Sequence, residues 1–127
     1  MLVKQQKPKF LNLLQISMPV TAIVSVLHRL SGLLLVLILP VIIYGFYLST
    51  QSKARFESLM NSFDSLFFQL VLIAVVWAIS HHILAGIRFL LIDIDLGLSL
   101  SAATKSSWVV NLTAVIVTLL FAKGLLF

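Results

Sequence analysis

Residues 81–95 read HHILAGIRFLLIDID and follow directly on the apolar run LFFQLVLIAVVWAIS of residues 66–80. Two histidines, an arginine and two aspartates thus extend a segment that otherwise suits the interior of a lipid bilayer. Whether a bilayer is the right solvent decides the fold, and composition answers. Of 127 residues, 61% are hydrophobic and 10% charged, with mean hydropathy +1.14. That leaves too little polar surface to cover a soluble globule of this size. The fold class expected is an all-α membrane protein, in which each span satisfies its own backbone.

A hydrocarbon core of roughly 30 Å takes about 20 residues per helical span. Three apolar blocks meet that length, at about 19–48, 65–92 and 108–126, within a single membrane domain covering 1–127. Between them STQSKARFESLMNSFD and DIDLGLSLSAATKSS carry the Ser, Thr, Gly and charges of exposed connections. The chain has no cysteine, which removes disulfides, thiolate metal sites and thiol nucleophiles. Its net charge of +5 includes Lys4, Lys7 and Lys9 but no continuing basic stripe, so it marks topology and not a nucleic-acid surface. The lysines put the N-terminus in the cytoplasm and the C-terminus across the membrane, although Lys53 and Arg55 reduce the contrast. The broken FLNLLQISMPV, followed by a full-length span, does not read as a cleavable signal. Pro19 suits the first turn of a helix, and Pro40 is expected to kink the first span.

Depth brings the polar groups together. His28 lies about nine residues, or roughly 14 Å, into the first span, and His82 about ten residues before the end of the antiparallel second one. Both therefore reach one level, with Ser25 and Arg88 nearer the cytoplasmic surface. Ser25, His28, Arg29 and Gly32 are spaced to share one helix face. His82 and Gly86 are four apart, and a glycine one turn from a histidine opens space for something flat and wide. His81 and Arg88 share a neighbouring stripe. Taken singly, each group has a plain reading: a buried His or Ser as glue between helices, Gly32, Gly45 and Gly86 as close-packing positions. Lys53, Arg55, Glu57 and Lys105 read as solvated, and Asp93 and Asp95 as interfacial caps, with Asp93 able to pair with Arg88 only under strain. Convergence of so many ionisable groups points to function. Imidazole suits a haem iron, arginine a haem propionate or a quinone carbonyl, and a proton relay is the competing chemistry.

SVLHRLSG (25–32) and HILAGIRFLLID (82–93) resemble the two signatures of the cytochrome b membrane-anchor subunit of succinate dehydrogenase, respiratory complex II. Their order and spacing, the three spans and the segment KPKFLNL agree over nearly the whole chain. The resemblance implies one haem b shared with a second hydrophobic anchor subunit, a ubiquinone site near an iron–sulfur subunit, and a flavoprotein subunit that oxidises succinate. It implies a multi-pass protein of the bacterial inner membrane, with lipid and these subunits as partners and no nucleic acid. By the same resemblance His82, four before Gly86, is the haem-iron ligand, Ser25 and Arg29 line the quinone pocket, and His28 with Arg29 lies near the haem propionates. His81 and His82 point about 100° apart on a helix, so only one can face a given haem. Phe89 departs from relatives that carry a second histidine after G-I-R. The implied activity is electron transfer with no catalytic residue in this chain. A menaquinol-using fumarate reductase anchor, or a haem-free proton-conducting or assembly subunit, are the alternatives.

Overall fold

The computed structural model describes residues 17–126, and their regular structure is entirely helical. In order these are α1 (Val20–Gln51), α2 (Lys53–Ser62), α3 (Leu66–Asp93) and α4 (Leu100–Leu126). The lysine-rich start, with KPKFLNL up to residue 16, and Phe127 lie outside the described residues. Helices α1, α3 and α4 are each long and apolar enough to cross a membrane. They pack against one another as a three-helix bundle, while α2 rests on α1. The chain is a multi-pass membrane protein.

The helix ends follow from local chemistry. Pro19 stands just outside α1 as its N-cap, and its carbonyl accepts from the amides of Ala22 and Ile23 at 2.9 and 3.2 Å. The helix runs through Pro40 without interruption. Ser52 caps α2 by accepting from the Arg55 amide at 3.2 Å, and Ser65 caps α3 by accepting from Phe68 at 3.4 Å. The connection after α1 is thus partly helical. An exposed pair, Lys53 and Glu57 at 3.7 Å, sits on α2 as i and i+4 neighbours.

The third span corrects the expected boundary. It starts at Leu100, about two turns before 108, because Ser99 caps it: its Oγ accepts from the Ala102 amide at 3.2 Å and its carbonyl from Ala103 at 2.8 Å. The polar run from Ser101 to Ser107 looks like a loop in one dimension. In three, Ala103 and Ser106 take hydrogen bonds from Arg88 on α3, and Ser107 is fully buried.

The turn from α3 to α4 is closed by a Schellman pattern. The Leu96 amide donates to the Leu91 carbonyl at 2.9 Å and the Asp95 amide to Ile92 at 3.0 Å. This requires a left-handed residue between them, and Asp95 has φ of 62°. Asp is among the few non-glycine residues that tolerate that region.

The bundle interior is small and half polar. Val24, Ala78, Ala85, Val110 and Ala114 are its buried apolar side chains; Ser31, His81, Arg88, Ser107 and Thr118 are equally buried. Large apolar residues such as Phe46, Leu90 and Leu119 face outward. Lipid supplies no hydrophobic drive between helices, so close packing of small residues and interhelical hydrogen bonds hold them together.

Asp95→Val should destabilise the bundle by about 1–2 kcal/mol, the cost of a left-handed β-branched residue, while Asp95→Gly should not. Thermal unfolding of the detergent-purified protein measures both.

Candidate functional site

The site is built where α1 and α3 cross. Each helix carries a histidine followed four residues later by a glycine: His28 with Gly32, and His82 with Gly86. The helices run antiparallel, so each imidazole meets the other helix's glycine. A Cβ added at Gly32 would lie 2.9 Å from His82 Cε1, and one at Gly86 would lie 3.7 Å from His28 Nε2. The notches let the two rings stack, with centroids 4.2 Å apart and planes 12° from parallel. Phe89 closes on the His28 ring edge-on at 5.2 Å.

Hydrogen bonding fixes the protonation pattern of His82. Its Nδ1 lies 3.2 Å from the His28 carbonyl oxygen and 3.3 Å from Ser31 Oγ. The Ser31 hydroxyl donates to that same carbonyl at 2.8 Å. A carbonyl oxygen only accepts, so Nδ1 carries the proton. The lone pair of His82 is then on Nε2, which makes no hydrogen bond among the described residues and is not sealed inside the bundle. A half-buried imidazole with one nitrogen tethered and the other bare can ligate a metal-centred cofactor. Among the described residues no group of three or more His, Cys, Asp or Glu could cage a free metal ion.

His81 turns the other way. It is 1% exposed, its Nε2 lies 3.1 Å from Asn111 Oδ1 on α4, and the Trp77 ring leans on it at 5.5 Å. With Asn111 presenting its oxygen, Nε2 donates, and Nδ1 is left as a buried acceptor with no partner among the described residues. Arg88 also faces α4: Nε donates to Ser106 Oγ at 3.0 Å and Nη2 to the Ala103 carbonyl at 3.3 Å. The expected stripe of His81 and Arg88 is therefore real, and it belongs to the α3–α4 seam. Arg88 makes no ion pair with Asp93, the partner weighed for it at i+5.

The structure thus brings His28 and His82 together, with Ser25 one turn before His28 and Arg29 next to it, about 100° around α1. Ser25 is half-buried and Arg29 exposed, and neither side chain has a hydrogen-bond partner among the described residues. Three contributors escaped notice in the sequence. Ser31 stands inside the quoted SVLHRLSG yet looks like filler. Ser106 lies in a run that reads as a connection. Asn111 is a lone amide in mid-span, and its cost in lipid was the available signal.

These features define a three-span membrane subunit with an imidazole pair at the crossing of its first two spans. The chain belongs to the succinate dehydrogenase/fumarate reductase transmembrane subunit family, which matches residues 3–121. It is similar to a succinate dehydrogenase cytochrome b556 subunit of Rickettsia bellii, 30% identical over 101 residues that cover 80% of this chain and 78% of the relative. The protein of that name from Rickettsia felis is 24% identical over 118 residues, 93% of this chain and 92% of the relative.

Gly32→Ala should displace His82 from its carbonyl, since the new Cβ meets a ring held on both sides, and should cost about 1–3 kcal/mol. Gly86→Ala, at ordinary contact distance, should be nearly silent. Melting temperatures of the two purified variants test the asymmetry.

Proposed function

We propose that the chain is the haem b-binding membrane anchor of a succinate:ubiquinone oxidoreductase, with His82 as its iron ligand. The single observation that supports this most is the tautomer of His82: Nδ1–H tied to the His28 carbonyl, Nε2 bare. A ligating histidine characteristically donates its other ring nitrogen to such an acceptor, which orients the ring and raises its basicity. His81 is a poor candidate because Asn111 and Trp77 enclose it. The residues present fit the group. Haem b, when bound, supplies the one-electron chemistry that no side chain here offers.

The chain's own residues bind and orient. His82 holds its ring through Nδ1 and would offer Nε2 to the haem iron, with a second anchor subunit sharing the group. His28 and Arg29 would lie near the haem propionates, where the guanidinium's exposure would leave its donors available for carboxylates. Ser25 and Arg29, one turn apart on α1, hold the quinone. A quinone carbonyl gains negative charge on reduction, and a hydroxyl and guanidinium aimed at it favour that change. Electrons arrive from succinate through flavoprotein and iron–sulfur partners in the cytoplasm. The chain is read as a multi-pass protein of the bacterial inner membrane with its N-terminus in the cytoplasm, a topology supported by Lys4, Lys7 and Lys9 ahead of the first span. The family description covers succinate oxidation and fumarate reduction alike, and activity of the purified complex with ubiquinone and with menaquinol distinguishes the two.

His82→Leu should abolish or strongly perturb the b-type reduced-minus-oxidised spectrum, whereas His81→Leu should keep it. A normal spectrum for the His82 variant overturns the ligand, and no b-type spectrum in the wild-type complex points to the haem-free alternative. Ser25→Ala and Arg29→Leu should lower quinone reduction by roughly 10-fold or more, as for loss of one stabilising donor, with succinate oxidation by an artificial dye nearly unchanged. Equal loss of both activities in an assembled complex removes these residues from the quinone site. A reporter fused after Phe127 should behave as periplasmic; cytoplasmic behaviour inverts the topology.

A further inference from the structure

Arg88 is a charge without a counter-charge. It is 7% exposed in a membrane-spanning helix, and an ionised group there is expensive unless paired. The chain has only four acidic side chains, Glu57, Asp64, Asp93 and Asp95. None lies within 4.0 Å of the guanidinium, and the one ion pair among the described residues is Lys53 with Glu57. Ser106 and the Ala103 carbonyl take Nε and Nη2, both as neutral acceptors, and the Phe89 ring lies 5.4 Å from Cζ. Nη1 has no partner among the described residues and is not among the sealed, unpartnered atoms.

That nitrogen belongs to a residue lining a groove of about 400 Å³ between α3 and α4. The walls are apolar, with Ile87, Leu91 and Val109 exposed along them at 51%, 44% and 61%. Arg88 precedes Asp93, the last residue of α3, by five positions, or roughly 7 Å at 1.5 Å per residue. The guanidinium therefore lies near the end of the span, where α3 leaves and α4 enters, within reach of the headgroup region of a bilayer these helices would cross. His82 faces α1, so the groove is separate from the imidazole pair.

We propose that this groove seats an anionic phospholipid, with its phosphate on Arg88 and one acyl chain along Ile87, Leu91 and Val109. Charge complementarity names the occupant. The protein presents an uncompensated cation at headgroup depth beside an apolar channel, and a lipid of net negative charge supplies both missing halves. A zwitterionic lipid brings its own cation and leaves the charge count unchanged. The serine and the carbonyl hold the guanidinium at the seam and leave its remaining nitrogen for a charge-assisted bond.

Native mass spectrometry of the whole purified complex tests this, with dioleoyl phosphatidylglycerol titrated in one arm and dioleoyl phosphatidylcholine in the other. Arg88→Gln removes the charge. Val109→Trp fills the groove from an outward-facing position and keeps the charge. Both variants should bind the phosphatidylglycerol at one site roughly tenfold more weakly than wild type, the loss of one charge-assisted bond or of its seat, with no difference in the phosphatidylcholine arm. Inorganic phosphate should not displace the lipid. Equal phosphatidylglycerol binding by wild type and Val109→Trp overturns the proposal, and this variant decides alone if Arg88→Gln does not assemble. Displacement by inorganic phosphate, or loss of a partner subunit from Arg88→Gln with lipid binding intact in Val109→Trp, overturns it too.

Discussion

In a solvent that offers no hydrogen bonds, the Nδ1–H of His82 has to find an acceptor within the protein, and it finds the His28 carbonyl. Much of the bundle's geometry follows from that contact. The ring reaches the backbone of α1 only because Gly32 leaves the notch open; with a Cβ there the approach would be 2.9 Å. Close approach brings the rings into stacking distance and draws α1 and α3 together. It also decides the chemistry, since a proton fixed on one nitrogen leaves the lone pair on the other.

The second half of the constraint is borne by α4. Adjacent residues on a helix diverge by about 100°, so His82 can face α1 while His81 binds Asn111 on α4. Arg88 bonds to Ser106 and Ala103 on the same helix. Interhelical hydrogen bonds in membranes contribute on average about 0.6 kcal/mol each, so their importance here is rotational. They hold α3 about its own axis, and with it the direction in which His82 points.

Fold class and spans were legible because bilayer thickness and hydropathy are one-dimensional constraints. So was the shared depth of His28 and His82 on two antiparallel helices, whereas the stacking of their rings also needs both helix faces to be right. The start of α4 was not. Ser101, Thr104, Ser106 and Ser107 are polar and small, and in water such a run is a loop. In lipid, Thr104 and Ser107 turn their hydroxyls back to Leu100 and Ala103, and the run becomes a packing face. Asp95 likewise read as a charge in a connection, yet its backbone carries its role. The pairing of His81 with Asn111 needs two faces on two helices to be right at once, and no local pattern encodes that.

The two His-x-x-x-Gly units are related by a local pseudo-twofold axis, since antiparallel helices carrying the same motif map onto each other by half a turn. The symmetry holds for backbone and motif and fails at the side chains. One imidazole presses within 2.9 Å of its glycine's missing Cβ and is tethered by a carbonyl; the other stands at 3.7 Å and leans on Phe89. Two chemically identical residues at one depth are thereby made inequivalent. Only one of the two imidazoles has its proton held by a backbone acceptor, although the sequence presents the same motif twice.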